Sequence, residues 1–488
     1  MSQSIDAVVE AAMKPLADGL SAVIFYRIPI GSFEVPWIVL WLAVAASFFT
    51  LYLGFMNIRA FPLALRLVRG DFHDPQAPGE ISHFRAVATA VSGTVGIGNI
   101  GGVAVAISIG GPGAAFWLMV AGLLSMSTKL VECTLGVKYR RHNPDGSVSG
   151  GPMYYLEHWL RARGMPGFGR GLGAFYAGAL MVGCLGIGNM FQSNQAYVQF
   201  VTITGGADSF FAERGWLFGI VIAGLVGLVI IGGIRSIAGF AARVVPAMAI
   251  LYVVSALVVI ALSYANIPAA IALIVGSAFS LESATGGMIG AMIVGFQRAL
   301  FSNEAGIGSA SIAHSAVQTE EPASEGIVSL LEPFIDTVLI CTLSSLVIVV
   351  TAYPNGLMEQ GFEGIALTSA AFAHHASWAP YPLAVAALLF AFSTAVSWSY
   401  YGLKGCTYLF GEGMGVQNAF KLVFCAFLAL GCMIQLESVL AFSDAMIFLI
   451  AVPNTIGLYL FAPEVKAEVS RYRAKIAAGT IRPFTHIP

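Results

Sequence analysis

Charge is what this chain has least of. Of its 488 residues, 10% are Asp, Glu, Lys or Arg and 57% are hydrophobic, whereas a soluble protein carries about 25% charged residues. That shortage excludes an ordinary soluble domain and points to a chain that crosses a bilayer many times. The net charge of −2 gives no whole-chain attraction to nucleic acid. Cysteine is scarce as well. Cys133, Cys184, Cys341, Cys406, Cys425 and Cys432 all fall within or at the ends of apolar runs, and no CxxC pair occurs. A disulfide framework or zinc site therefore has no support, and buried thiols acting as small hydrophobes are the plainer reading. His314, His374 and His375 show no metal-ligand spacing and read as loop or helix-end residues. No Ser–His–Asp set, paired-carboxylate arrangement or phosphate loop argues for an enzyme or for direct ATP use. The first 31 residues lack the positive start, apolar core and cleavage site of a signal peptide. They read as a short amphipathic or loosely ordered lead-in.

Glycine, by contrast, is concentrated where a membrane helix should be. Ser92-Gly93-Thr94-Val95-Gly96-Ile97-Gly98-Asn99-Ile100-Gly101-Gly102 sits between the apolar runs 86–91 and 103–109. Together they are long enough to cross a bilayer, which takes about 20 residues at 1.5 Å rise each. Each glycine weakens a helix by roughly 1 kcal/mol relative to alanine, so this helix is expected to break at mid-membrane. A broken backbone is tolerated there only where it lines a protein-enclosed cavity, and in transporters such breaks hold substrate and coupling ion. Freed carbonyls suit a hard cation, and freed N–H groups suit a carboxylate. Gly96, Gly98 and Gly101 leave room for backbone contact with substrate, while Thr94 and Asn99 add side-chain oxygens. The plainer alternative is close helix packing through small residues. Gly96-x-Gly98-x-x-Gly101 also matches a dinucleotide fingerprint, but no polar-bounded strand precedes it and the first acidic residue after it is Glu132.

Eleven spans are expected, at 35–57, 84–108, 114–137, 172–202, 216–232, 237–262, 283–303, 326–352, 382–409, 419–435 and 438–461. The apolar piece 267–279 is too short to cross, so it lies on the surface or re-enters. With the N-terminus outside, the cytoplasmic segments collect 19 of the 24 basic residues. The positive-inside rule thus favours N-out, C-in. Setting the first span aside leaves ten, and each half of five begins with an interrupted helix: 92–102 and 295–308. An odd number of spans per half places the halves in opposite topology, the pattern of an inverted-repeat transporter. The expected layout is a lead-in over 1–34, an extra helix over 35–58, repeats over 84–262 and 283–461, and a cytoplasmic tail over 462–488.

Three further segments carry chemistry. Around the second interruption, Arg298, Glu304, Glu332 and Asp336 are expensive inside spans unless paired. They are expected to pair across spans seven and eight. Phe296 is a candidate wall of a substrate pocket or an ordinary core residue. Span four carries the amides Asn189, Gln192 and Asn194, which demand partners. Substrate ammonium or carboxylate could supply these, as could interhelical hydrogen bonds. Span nine carries Ser393 and Thr394, whose hydroxyls suit a cation, and Trp398 one turn past Thr394. Back-bonding to the preceding turn is the alternative for the two hydroxyls.

Several stretches together resemble the alanine/glycine:cation symporters, also called the sodium:alanine symporter family. They are 92–102, Gly110-Gly111-Pro112-Gly113-Ala114-Ala115-Phe116-Trp117, Thr128-Lys129-Leu130-Val131-Glu132, Gly150-Gly151-Pro152-Met153-Tyr154-Tyr155 and 301–313. Ala115, Leu118 and Met119 depart from the family's usual Leu, Met and Trp, outside both interruptions. The resemblance implies an all-α polytopic membrane protein of 11 transmembrane helices. Its five-plus-five inverted repeat follows one extra helix, similar to the amino-acid and neurotransmitter sodium symporters. It implies that the carbonyls of Ser92 and Val95 and the hydroxyls of Ser393 and Thr394 form a Na⁺ site, with Asn99 and Thr94 as a second. The segments read above give the expected substrate site: Thr94, Gly96, Gly98, Asn189, Gln192, Phe296, Thr394 and Trp398. The expected activity is Na⁺-coupled uptake of alanine or glycine across a bacterial cytoplasmic membrane, with no cofactor, no transition metal and no nucleic-acid partner. Proton coupling at Glu304 or Asp336 is the rival, and an amino-acid channel or sensor the more distant one.

Overall fold

Most of the described residues are helical. The computed structural model describes residues 14–15, 18–30, 33–72, 74, 76–143, 146–280, 287–481 and 483. A short antiparallel hairpin, Arg27–Ile30 with Phe33–Pro36, ends the part of the lead-in that is described. The helices used below are α1 (Trp37–Tyr52), α2 (His83–Thr94), α3 (Gly101–Gly110), α4 (Gly113–Lys138), α5 (Pro166–Gly183) and α6 (Phe191–Ile203). Then come α7 (Gly215–Ile230), α8 (Gly233–Leu262), α9 (Gly287–Asn303), α10 (Ser309–His314), α11 (Pro322–Val328) and α12 (Thr342–Thr351). The last three are α13 (Pro380–Phe410), α14 (Met414–Gly431) and α15 (Leu436–Ala477). Proline opens α5, α11 and α13, where its missing N–H has no helical partner to lose. Gly411, at φ 87° and ψ 166°, ends α13 with a positive φ that glycine adopts without a Cβ clash.

Each expected span overlaps helix within the described residues. Among the described residues seven helices are long and apolar enough to cross a bilayer, or eight if α2 and the helical chain after its break count as one bent span. The other three are shorter. α1 and α7 have 16 residues each and α9 has 17, its expected start at 283–286 lying outside the described residues. Sixteen residues rise about 24 Å, less than the roughly 30 Å of a hydrocarbon core. The piece expected to be too short is the 12-residue helix Ile267–Ala278. The tail expected from 462 onward continues α15, a single helix of 42 residues carrying Pro453 and Pro463. Two other helical stretches widen into π-turns, Gly186–Met190 before α6 and Phe334–Cys341 before α12. Such turns occur often at functional sites.

Burial sorts the helices into an inner and an outer set. α2 is buried from Ala86 through Thr94, and α13 is buried along most of its length. α7 and α8 expose Ile220, Leu225, Leu228, Ile250 and Val254. Apolar side chains standing outward on long helices belong against lipid. The broken helix thus sits inside a jacket of other helices, where irregular backbone is tolerable.

One charge pairing differs from expectation. Arg298 does not pair with Glu304, Glu332 or Asp336; it bonds Asp444 on α15, which also accepts from Gln297 at 3.2 Å. The register of α9 turns Arg298 toward α15, 146 residues away in sequence. The pair is buried, yet Arg298 Nη1 and Asp444 Oδ1 lack hydrogen-bond partners. Breaking a buried pair by removing one partner costs about 3–5 kcal/mol, whereas an apolar replacement of both is often neutral. Asp444→Leu alone should therefore lower the melting temperature in detergent sharply, and Arg298→Met with Asp444→Leu should recover most of it. A double variant as unstable as the single one would contradict this.

Candidate functional site

The first break lies at Val95 and Gly96. Ahead of it α2 ends with the Val95 N–H bonded to Val91 O at 2.7 Å; beyond it the chain runs at an angle of 64° to α2. Gly96 is extended, and a single 3₁₀ turn, Ile97–Asn99, leads into α3. The carbonyls of Ser92, Gly93 and Val95 therefore have no partner one turn on. α13 supplies it. Thr394 Oγ1 donates to Ser92 O at 3.0 Å and lies 3.4 Å from Val95 O. Trp398 Nε1 donates to Gly93 O at 3.2 Å and to Glu304 Oε1 at 3.0 Å. Ser397 Oγ donates to Thr89 O, and Ser92 Oγ donates to Ser393 O at 2.8 Å. Thr394 and Trp398 are one turn apart, so one face of α13 serves the whole break.

The freed amides are held by side-chain oxygens. Gly96 N–H donates to Asn99 Oδ1 at 2.9 Å, and Ile97 N–H donates to Gln192 Oε1 at 3.0 Å. A Cβ at 96 would stand 2.8 Å from Thr394 Oγ1 and 2.9 Å from the Gln192 amide, so a larger residue would push both side chains away from the break. A Cβ at Gly188, in the π-turn, would run into the Trp398 ring.

The second break, Glu304 to Gly308, separates α9 from α10. Glu304 takes a left-handed backbone, φ 58°, unusual for a residue with a side chain. Its carboxylate accepts from Ser309 Oγ at 2.5 Å as well as from Trp398. Gly306 N–H donates to Glu132 Oε1 at 2.7 Å, while Gly306 O accepts from Asn454 Nδ2 at 2.8 Å and Thr455 Oγ1 at 3.2 Å. Tyr176 OH donates to Ile307 O at 2.8 Å. The two breaks meet at Asn99, whose Nδ2 reaches Ser302 Oγ at 3.0 Å and Asp336 Oδ1 at 2.5 Å. Ser302 Oγ donates to the same carboxylate at 2.7 Å.

These contacts bring together Ser92, Val95, Gly96, Gln192, Thr394 and Trp398, all buried. Ser393 is beside them, but its hydroxyl turns to Phe390 O at 3.1 Å on its own helix. Thr94 bonds back to Val91 O at 3.4 Å. Asn189 donates to Phe424 O at 2.7 Å and Asn194 to Gly431 O and Ile434 O, so both stitch helices together; Asn189 Oδ1 has no partner. Phe296 is buried with its ring 6.5 Å from Trp117, and the ring nearest Gly98 is that of Phe301. Sequence reasoning missed Phe301, Glu132 and Asn454. A carboxylate inside a span, as Glu132 is, was the available signal. His314 is a helix-end residue, as its sequence reading allowed, but its surroundings were not foreseen. It ends α10 but is fully buried, with ligand atoms of Cys133 and Glu332 nearby, all within 4.8 Å of one another.

The Ser92 and Val95 carbonyl oxygens both lie within 3.4 Å of Thr394 Oγ1, which is about 300 residues away in sequence. A hard cation prefers such ligands. To bind one, Thr394 need only rotate its hydroxyl proton away from the two carbonyls.

Comparison with known proteins gives the same architecture. The sequence model of the sodium:alanine symporter family matches residues 26–486. The "Sodium/alanine symporter AgcS" of Methanococcus maripaludis is 37% identical over 443 residues, 90% of this chain and 94% of that protein. The "Putative sodium/proton-dependent alanine carrier protein YrbD" of Bacillus subtilis is 29% identical over 466 residues, 92% of this chain and 91% of that one. Among solved structures, MhsT in complex with L-phenylalanine is similar at a TM-score of 0.58 and 15% identity, covering 80% of this chain and 92% of that chain. The likeness to MhsT shows the fold, that of the amino-acid and neurotransmitter sodium symporters, as expected from the sequence.

Trp398→Phe keeps a ring against Gly188 but removes the N–H shared by Gly93 O and Glu304. Leaving buried acceptors unsatisfied costs about 1–3 kcal/mol. A lower melting temperature in detergent is expected; an unchanged one would show that the indole N–H does not hold the break.

Proposed function

The chain belongs to the sodium:alanine symporter family, and from that premise we propose that it couples the inward movement of Na⁺ to the uptake of alanine or glycine. It is an integral membrane transporter, not an enzyme, and cation-coupled amino-acid symport is the activity its relatives share. The observation that carries the finer reading is the convergence of Ser92 O, Val95 O and Thr394 Oγ1 at the first break. Na⁺ would take the place of the Thr394 hydroxyl proton, with Ser393 Oγ turning in as a fourth oxygen, and so brace the broken helix against α13. A second cation at Thr94 and Asn99 would require Asn99 Oδ1 to release the Gly96 N–H.

The substrate carboxylate would meet the Gly96–Gly98 backbone, displacing Gln192 from the Ile97 N–H. Asn189 Oδ1 offers an unsatisfied acceptor. Phe296, Thr394 and Trp398 would limit side-chain size, which favours small amino acids. The repeats would run over 84–262 and 283–461 after the extra helix at 35–58, with the N-terminus outside, the tail from 462 in the cytoplasm, and a bacterial cytoplasmic membrane as host. One charge crossing 100 mV is worth about 2.3 kcal/mol, roughly fifty-fold accumulation. A single Na⁺ would therefore drive useful uptake.

Proton coupling is the second reading, favoured by the burial of Glu304 and Asp336 beside the two breaks. Radiolabelled alanine uptake into proteoliposomes separates the two. Accumulation with an inward Na⁺ gradient, and not with matched K⁺ or pH gradients, is the expected result. Accumulation with a pH gradient alone, abolished by an amide at Glu304 or Asp336, would replace Na⁺ with H⁺. Thr394→Val should raise the Na⁺ concentration for half-maximal uptake about tenfold, the equivalent of about 1.4 kcal/mol for one lost oxygen ligand. An unaltered Na⁺ dependence would remove Thr394 from the ion site.

A further inference from the structure

Five buried ionisable side chains form a line that the transport site does not use. His83 Nδ1 is hydrogen-bonded to Glu325 Oε2. The other oxygen, Glu325 Oε1, lies 2.5 Å from His314 Nδ1. His314 Nε2 is hydrogen-bonded to Glu332 Oε1, and Glu332 Oε2 lies 3.6 Å from Lys129 Nζ. None of the five side chains is more than 3% exposed. They come from α2, α4, α10, α11 and the turn after it, so the line ties together both broken helices and the helices that follow them.

The geometry fixes a proton count. A carboxylate only accepts, and a neutral imidazole has one N–H and one bare nitrogen. His314 faces a carboxylate oxygen at each nitrogen. Neutral His314 between two carboxylates would set a bare nitrogen against an oxygen lone pair. One further proton removes that conflict. With His314 as imidazolium, Lys129 charged, both carboxylates ionised and His83 neutral, every contact is favourable and the net charge is zero. Without the extra proton the line carries a buried net charge of −1, which low dielectric makes costly.

A metal ion is a poorer fit, although Cys133, His314 and Glu332 are close enough to ligate one. His314 and Glu332 touch directly, leaving no space between them, and the Lys129 ammonium already stands beside Glu332. The outer end of the line lies just under the surface: His83 is buried, but Phe84 and Arg85 beside it are exposed. The inner end, Lys129, acts by charge on Glu132 and Glu304, the two carboxylates that hold the second break and Trp398. Other titratable or charged groups facing the line are Cys133, Arg140, Asp336, Tyr401 and Tyr472.

We propose that His83–Glu325–His314–Glu332–Lys129 is a proton-binding site, filled from the face at which α2 begins, whose occupancy controls the rate of the transport cycle through Lys129. The proton is retained at low pH and lost as pH rises, so uptake falls as the pH on that face is raised. Glu325→Gln removes one negative charge and makes the line neutral without the extra proton.

Two measurements test this. In wild-type protein in lipid nanodiscs, ¹⁵N-histidine NMR should show one of the eight histidines with both ring nitrogens protonated at about pH 8, where an unperturbed histidine is neutral. This arm needs no substrate, so its outcome is independent of the Na⁺ and alanine reading. All eight neutral at that pH would overturn the proposal. In proteoliposomes, uptake of the accepted amino acid should fall with rising pH for wild type and become flat for Glu325→Gln, with Na⁺ half-saturation unchanged. Superimposable profiles would overturn it. Should Glu325→Gln fail to fold, Glu332→Gln serves instead: it also leaves the line neutral without the extra proton, and the same flattening is expected.

Discussion

A helix broken inside a bilayer leaves carbonyls and amides that hydrocarbon cannot satisfy, and the rest of this structure answers that constraint. At the first break the answer is α13, whose Thr394 and Trp398 take the freed carbonyls while Asn99 and Gln192 take the freed amides. At the second it is Glu132, Asn454, Thr455 and Tyr176. Each unsatisfied group would cost several kcal/mol in lipid. The partners are therefore requirements of the fold before they are parts of a binding site.

The same requirement explains how the proposed cation site would arise. Groups recruited to satisfy orphan carbonyls are oxygens and N–H donors, the chemistry that recognises a hard cation and an amino acid. A ligand that takes over a hydrogen bond already present meets a pre-shaped place, and its binding exchanges one set of contacts for another. Trp398 joins the two breaks through one N–H shared between Gly93 O and Glu304, so the breaks are not independent. Asn99 joins them a second time through Ser302 and Asp336.

Much of this was legible in the sequence, and the division is instructive. Glycine density and scarce charge locate both breaks, because backbone preference and desolvation are local properties. The one-turn spacing of Thr394 and Trp398 gives their common face. What was not legible is pairing over long distances. Arg298 finds Asp444 across 146 residues, and Asn454 finds Glu132 across 322. Such choices depend on helix register and rotation, which no local pattern carries. The left-handed Glu304, the π-turns and the burial of His314 between two carboxylates were equally invisible. Each arises only once helices are packed.

The central claim is that Na⁺ closes the first break against α13. Hydrogen–deuterium exchange of the purified transporter with Na⁺ or K⁺, without amino acid, tests it most directly. The account predicts that Na⁺ slows exchange in peptides covering 90–102 and 390–398, and that K⁺ does not. Equal exchange in the two salts, or protection confined to the second break, would contradict it.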